Sequence, residues 1–202
     1  MKALMLKDYY TIARQMKKFL ILILFFACVP GYSMSSFAII YASMLPITAL
    51  AYDERSKWNT LAAMMPYSRS SIVMSKYVLG YISIGMTAII SVIAQIAVNL
   101  YKHTNFEVEG IVFIVVVICI ALLLQSFTLP FIFRFGVEKG RLAFSALIAV
   151  AALGGMAFGK KLAALLKFEK PNIALIGIIL IVSAIIINIV SIIISEKIYK
   201  VN

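Results

Sequence analysis

The sequence predicts an all-α integral membrane protein with six transmembrane helices. An N-terminal helix lies along the membrane interface, and a short cytoplasmic helix joins the second and third spans. Three observations carry this. Charged residues are absent from 19–52, 77–101, 111–133, 142–159 and 171–195, and a helix needs roughly 20 apolar residues to cross a bilayer core. Hydrophobic residues fill 63% of the 202 positions, above the usual share of about half in soluble domains. Runs such as Ile111 to Ile118 are apolar throughout, whereas the strands of a membrane barrel alternate. Helices and closed barrels are the only structures that hide their backbone polar groups in lipid. Residues 1–202 therefore read as one membrane domain, with no polar stretch long enough for a separate soluble one.

The first element covers residues 1–18. Met5, Tyr9, Ile12, Met16 and Phe19 recur on one helical face, and Lys7, Thr11, Arg14 and Lys18 on another. Such a helix lies in the inner interface, with its apolar face in the acyl boundary and its cations at the headgroups. The window from Phe19 does not read as a cleavable signal, because no A-x-A-like site follows Pro30-Gly31. As one helix the window to Tyr52 would be about 51 Å long, against a core of about 30 Å. Pro30-Gly31 near its middle breaks helices and makes turns, so two short spans joined outside fit better.

Charge agrees with that division. Lys2, Lys7, Arg14, Lys17 and Lys18 precede the window, and Arg55, Lys57, Arg69 and Lys76 follow it. Both segments carry the cytoplasmic signature, so an even number of crossings separates them. Six spans with both termini inside follow. Lys160, Lys161, Lys167 and Lys170 crowd one outer connection and are the local exception. The net charge of +11 is then a topology signal and an attraction to the anionic leaflet, not a nucleic-acid footprint. Cys28 and Cys119 each sit alone in an apolar run and read as packing residues.

Between the second and third spans lies segment 53–76. Asp53 can cap a short helix whose acidic first turn suits the dipole. Trp58, Leu61, Ala62 and Met65 give that helix an apolar face, and Pro66 stops it. Ser68 can cap the helix that becomes the third span. A short amphipathic helix hung between two spans suits docking of a cytoplasmic partner, or packing on the bilayer surface.

Signs of catalysis are few. His103 is the sole histidine, and neither H-E-x-x-H nor G-x-S-x-G occurs. Gly154 to Lys161 matches G-x-x-x-x-G-K but has Lys161 where Ser or Thr would hold magnesium, and it closes an apolar helix. Gly155 and Gly159 are better suited to close helix approach. No ionisable residue sits in the middle of a span, so ion-coupled transport has no relay. Gln95, Asn99, Gln125 and Asn188 remain, as interhelical hydrogen-bonding residues or as a sparsely polar translocation path.

The stretches Tyr52-Asp-Glu-Arg-Ser-Lys-Trp58, Met64-Met-Pro-Tyr-Ser-Arg69 and Ile72-Val-Met-Ser-Lys-Tyr77 resemble the membrane subunits of type-2 ABC exporters. More narrowly, the chain resembles the small six-span permeases of Gram-positive bacteria that export phenol-soluble modulins and other amphipathic or antimicrobial peptides. The resemblance implies a coupling helix that meets a separate ABC ATPase, with ATP and magnesium held by that partner and none in this chain. Coupling would fall on Asp53, Glu54, Arg55, Trp58, Pro66, Tyr67, Ser68, Arg69 and Lys76. It further implies pairing with a second permease copy or close paralogue, an amphipathic peptide cargo, and a place in the bacterial plasma membrane. The rival reading is a non-transporting membrane immunity or scaffold protein. A membrane enzyme ranks third.

Overall fold

The computed structural model describes residues 2–15, 17–29, 31–65, 67–102, 108–165 and 173–199. Every regular element among them is helical. In order they are α1 (Lys2–Gln15), α2 (Lys17–Cys28), α3 (Tyr32–Ala42), α4 (Leu45–Arg55), α5 (Trp58–Ala63), α6 (Arg69–Lys102), α7 (Val108–Phe135), α8 (Val137–Leu165) and α9 (Ile173–Ile198).

The first apolar window does break, and at two places. α2 packs along α3, with Ile23 against Ala42 and Leu45, as an antiparallel hairpin about the turn that contains Gly31. The φ of 138° at Gly31 is open to glycine and strained for other residues. A second break at Ser43-Met44 separates α3 from α4, and Ser43 donates its hydroxyl to the Ile40 carbonyl there. Pro46 in the first turn of α4 needs no N–H partner.

Four stretches among the described residues are long and apolar enough to cross a membrane: Met34–Arg55, Arg69–Tyr101, Val112–Phe135 and Leu180–Ile198. The 12 residues of α2 span about 18 Å, short of the core. α8 has 29 residues, but side chains in much of its second half lie outside those described. The structure thus supports an all-α membrane protein while showing four, not six, such stretches. Only about a fifth of the α6 and α9 windows is buried within the chain. Ile82, Met86, Ile89 and Ile93 on α6 and Ile185, Ile186, Ile189 and Ile193 on α9 face outward. Apolar surface on that scale belongs in hydrocarbon.

Other elements follow expectation in part. α6 is one helix of 34 residues, about 51 Å long, and residues 69–76 are its first two turns, continuous with the third span as expected. Ser68 does cap it: its Oγ accepts the Ser71 N–H at 3.2 Å. Asp53 caps nothing. It lies in the last turn of α4, and α5 starts after Lys57, whose φ of 53° makes the turn. The buried face of α1 carries Leu4 and Asp8, whereas Tyr9 is exposed, so the expected split of apolar and cationic faces is wrong there. Met16, Pro30, Pro66 and His103 lie outside the described residues, as do the side chains of Lys18, Phe19, Gly155, Gly159 and Lys161. The backbone from Gly154 to Lys161 is helical, which a phosphate loop is not.

The core runs along α7. It packs most extensively on α9, and also on α3, α6 and α8. Its Ile114, Val117 and Ala121 meet Ile39, Ile84 and Ala88. Lower down, Leu124 and Ile132 meet Ile47, Val137 and Phe144.

The hairpin and the basic residues together generate a test of sidedness. With α1 and α5 on the cytoplasmic side, a cysteine replacing Ser33 should react with an impermeant thiol reagent added to intact cells. A cysteine replacing the exposed Ser56 should react only after the membrane is opened. External labelling at Ser56 would reverse or break this topology.

Candidate functional site

Three elements meet at the charged end of the bundle. Lys7 and Asp8 come from α1, Asp53 from the end of α4, and Lys76 from the second turn of α6. Lys76 Nζ lies 2.7 Å from Asp8 Oδ1 and 2.7 Å from Asp53 Oδ2. Lys7 Nζ lies 2.6 Å from Asp53 Oδ1 and 2.9 Å from Asp8 Oδ1. The Lys76 and Asp8 side chains are each 2% exposed, and Lys7 is 21% exposed. Two cations and two anions cancel, which a buried cluster requires. Asp8 Oδ2 is buried without a hydrogen-bond partner, beside an apolar cleft of about 640 Å³ bounded by α1, α2, α6 and Leu45 of α4.

Asp53 and Glu54 sit at the negative end of the α4 dipole, the unfavourable end for acids. Each is compensated from elsewhere. Asp53 takes the two lysines, and Glu54 Oε2 accepts the Val137 N–H at 3.4 Å, at the positive end of α8. Gly136, at φ 87°, makes the one-residue reversal from α7 to α8. The space between Glu54, Arg55 and this reversal is a cavity of about 540 Å³, also lined by Glu138, Lys139 and Arg141.

Residues expected to serve docking divide between inside and outside. Asp53 and Lys76 point inward to the cluster. Trp58 is half-buried against the core cluster that includes Leu4, Ala62 and Tyr77, with Lys7 Nζ 4.5 Å from its ring centroid, a cation–π contact. Ala62 is buried, while Leu61, Met64 and Met65 are exposed, Met64 to 80%. The apolar edge open to a partner is therefore Leu61, Met64 and Met65, flanked by exposed Arg55, Lys57 and Arg69. Tyr67 is half-buried against the same core cluster. Ser70 donates to Glu196 Oε1 and so links the start of α6 to the end of α9.

The four polar residues of the spans do not converge. Gln125 is buried, and its Nε2 donates to the Tyr77 carbonyl at 3.2 Å. Asn188 Oδ1 accepts from Tyr81 Oη at 3.0 Å, and its Nδ2 donates to the Ala184 carbonyl at 2.8 Å. Tyr77 Oη bonds Ser191 Oγ at 2.6 Å and Ser195 Oγ at 2.9 Å, and Ser191 Oγ donates to the Ser126 carbonyl. These residues form one polar seam across α6, α7 and α9, inside the chain. Gln95 is apart, on the outer half of α6, donating to Ser35 Oγ of α3 at 3.4 Å. Asn99 is half-buried one turn further on.

Sequence reasoning missed Asp8, Tyr77, Tyr81, Ser191 and Ser195. Their signals were present. Asp8 is the sole acid before Asp53, and Tyr77 and Tyr81 share a helical face, as do Asn188, Ser191 and Ser195. No group of His, Cys, Asp and Glu among the described residues is arranged to hold a metal ion.

A helical bundle with outward-facing apolar sides and a charged platform of short helices at one end is the architecture of an integral membrane protein. Comparison with protein families agrees: residues 3–200 match the model of the ABC-2 family transporter proteins. The chain belongs to that family, and is thereby a permease subunit that works with an ABC ATPase. No curated protein and no solved structure gives a significant match to it.

The geometry makes two stability tests. Lys76→Met alone buries two carboxylates short of a cation and should cost about 3–5 kcal/mol, as for one-sided breakage of a buried pair. Thermal unfolding of the purified chain in detergent reads this. At the seam, a Cβ on Gly80 would overlap the Gln125 side chain. Gly80→Ala should therefore destabilise by about 1–3 kcal/mol, as overpacking does, and Gln125→Ala in the same chain should recover most of it.

Proposed function

We propose that this permease exports amphipathic peptides of the antimicrobial or phenol-soluble modulin kind across a bacterial plasma membrane. The charged end faces the cytoplasm, where both termini lie, and a separate ATPase supplies the ATP and magnesium site. Six crossings are proposed, with α2 and α3–α4 as the first two, then α6, α7, α8 and α9. A second permease copy or close paralogue completes the path, since the polar seam of one chain is closed by its own helices. Gln95 and Asn99, outside that seam, are the candidates for a path between the two permeases.

The observation that carries the coupling role is the exposed edge of α5. Leu61 of α5, and Met64 and Met65 of the turn that follows it, offer apolar side chains beside Arg55, Lys57 and Arg69, between two stretches long enough to cross the membrane. Aromatic, Met and Arg contacts are enriched at interface cores. Glu54, Tyr67 and Ser68 hold the edge in place, and Trp58 seats it. Asp53 and Lys76 act from beneath, without touching the partner.

Replacing Leu61 and Met64 together by Ala should weaken capture of the ATPase by about 2 kcal/mol, roughly 30-fold in affinity. Trp58→Ala should weaken it similarly by unseating α5. Co-purification from cells expressing both subunits reads the loss, with membrane insertion unchanged. Unaltered capture by all three substitutions combined would remove α5 from the interface.

A further inference from the structure

The ion cluster links α1 to the segment that carries α5, and apolar packing alone would not require charges there. Replacing a buried ion pair by apolar groups is often neutral or stabilising. What such a pair supplies is geometry: each carboxylate fixes where its cation sits. Lys76 reaches Asp8 and Asp53 at the same 2.7 Å, and Lys7 reaches Asp53 from α1 while covering the Trp58 ring. Three contacts between three elements, with a fourth between Lys7 and Asp8 inside α1, leave α1 no independent position. The pairs that join different elements lie 23 to 68 positions apart in the chain, so no local turn imposes the arrangement.

We propose that Lys7 and Asp8 are positioning residues that lock α1, the α4–α5 segment and the base of α6 into one moving body. A push on α5 then displaces α1 and α6 together, and α1 serves as a second arm of the coupling element. Its use in transport rests on the coupling reading above. The rigid-body arrangement itself is testable without any ATPase.

The experiment uses the full chain in lipid vesicles, with Cys28 and Cys119 replaced by Ala and spin labels at cysteines replacing Tyr10 of α1 and Met64 beyond α5. Both positions are exposed. Pulsed electron–electron distance measurement should give one narrow peak. Asp53→Asn combined with Lys76→Met removes one anion and one cation, leaving no net buried charge. That double variant should stay folded and keep its melting temperature within a few degrees, yet lose the narrow peak. Asp8→Lys combined with Lys76→Asp restores opposite charges across α1 and α6 and should regain it. Leu4→Ala, which thins the apolar packing of α1 but spares the ions, should lower the melting temperature and keep the peak. A narrow peak in the balanced double variant, or its loss in Leu4→Ala, would overturn the proposal by assigning the lock to packing. Should the double variant fail to fold, Asp8→Asn is measured instead, and an unchanged peak there overturns the proposal equally. If the lock holds but α5 substitutions leave ATPase capture intact, the coupling reading fails and the rigid body stands.

Discussion

Lys76 sets the arrangement of the charged end. A lysine in the second turn of a long membrane helix is tolerated inside a protein only when anions meet it, and here they come from two other elements. Asp8 requires α1 to lie across the base of α6, and Asp53 requires the last turn of α4 to end beside it. Lys7 then balances the second negative charge and lays its ammonium over Trp58. The seat of α5 follows from that contact and from burial of Ala62 in the same core. α5, with six residues, is too short to hold its shape alone. Its position is borrowed from the ions beneath it.

Directly above Lys76 the chemistry changes from charged to neutral. Tyr77 and Tyr81 bond serine and asparagine side chains of α9, and Gln125 of α7 bonds back to the Tyr77 carbonyl. In hydrocarbon, interhelical hydrogen bonds of this kind are modest individually, about 0.6 kcal/mol on average. Their number along one face of α6 fixes its rotation relative to α7 and α9. Gly80 permits the close approach that this needs, with Gln125 occupying the place of a side chain. The two sets of contacts, charged at residue 76 and neutral from residue 77, sit on consecutive turns of one unbroken helix.

How much of this the sequence disclosed depended on whether the governing contact was local. Charge-free windows are local, and they correctly indicated a helical membrane protein, the break near Gly31 and the Ser68 cap. The exact number of crossings was not equally legible, because α2 is short and α3–α4 is interrupted at Ser43, a break whose signal is Pro46 in the first turn of α4. Asp53 looked like a cap because Asp before a polar run favours that use, yet a lysine 23 positions away outcompeted the local backbone. Lys7 was assigned to headgroups by helical periodicity, which cannot know that a carboxylate waits on another element. Gln125 and Asn188 were recognised as polar residues within spans, but their partners lie 48 and 107 positions away. Periodicity identifies the face, and only tertiary structure identifies its neighbour.

The same distinction bears on how motion crosses the molecule. α6 reaches from Arg69 to Lys102 as one helix, and its lower end is held by ions while its middle is held by the seam. Both sets of contacts are directional, unlike the apolar packing of Ile84 and Ala88 higher up, which tolerates sliding. Directional contacts thus tie the base and middle of α6 to α1, α4, α7 and α9. Glu54 adds a separate route, since its bond to the Val137 N–H ties the end of α4 to the reversal between α7 and α8. The first path acts on the middle of the bundle and the second on its edge, and both begin within one turn of α4. Through Asp53 and Glu54, consecutive residues of that turn, the end of α4 is joined both to the base of α6 and to the reversal between α7 and α8.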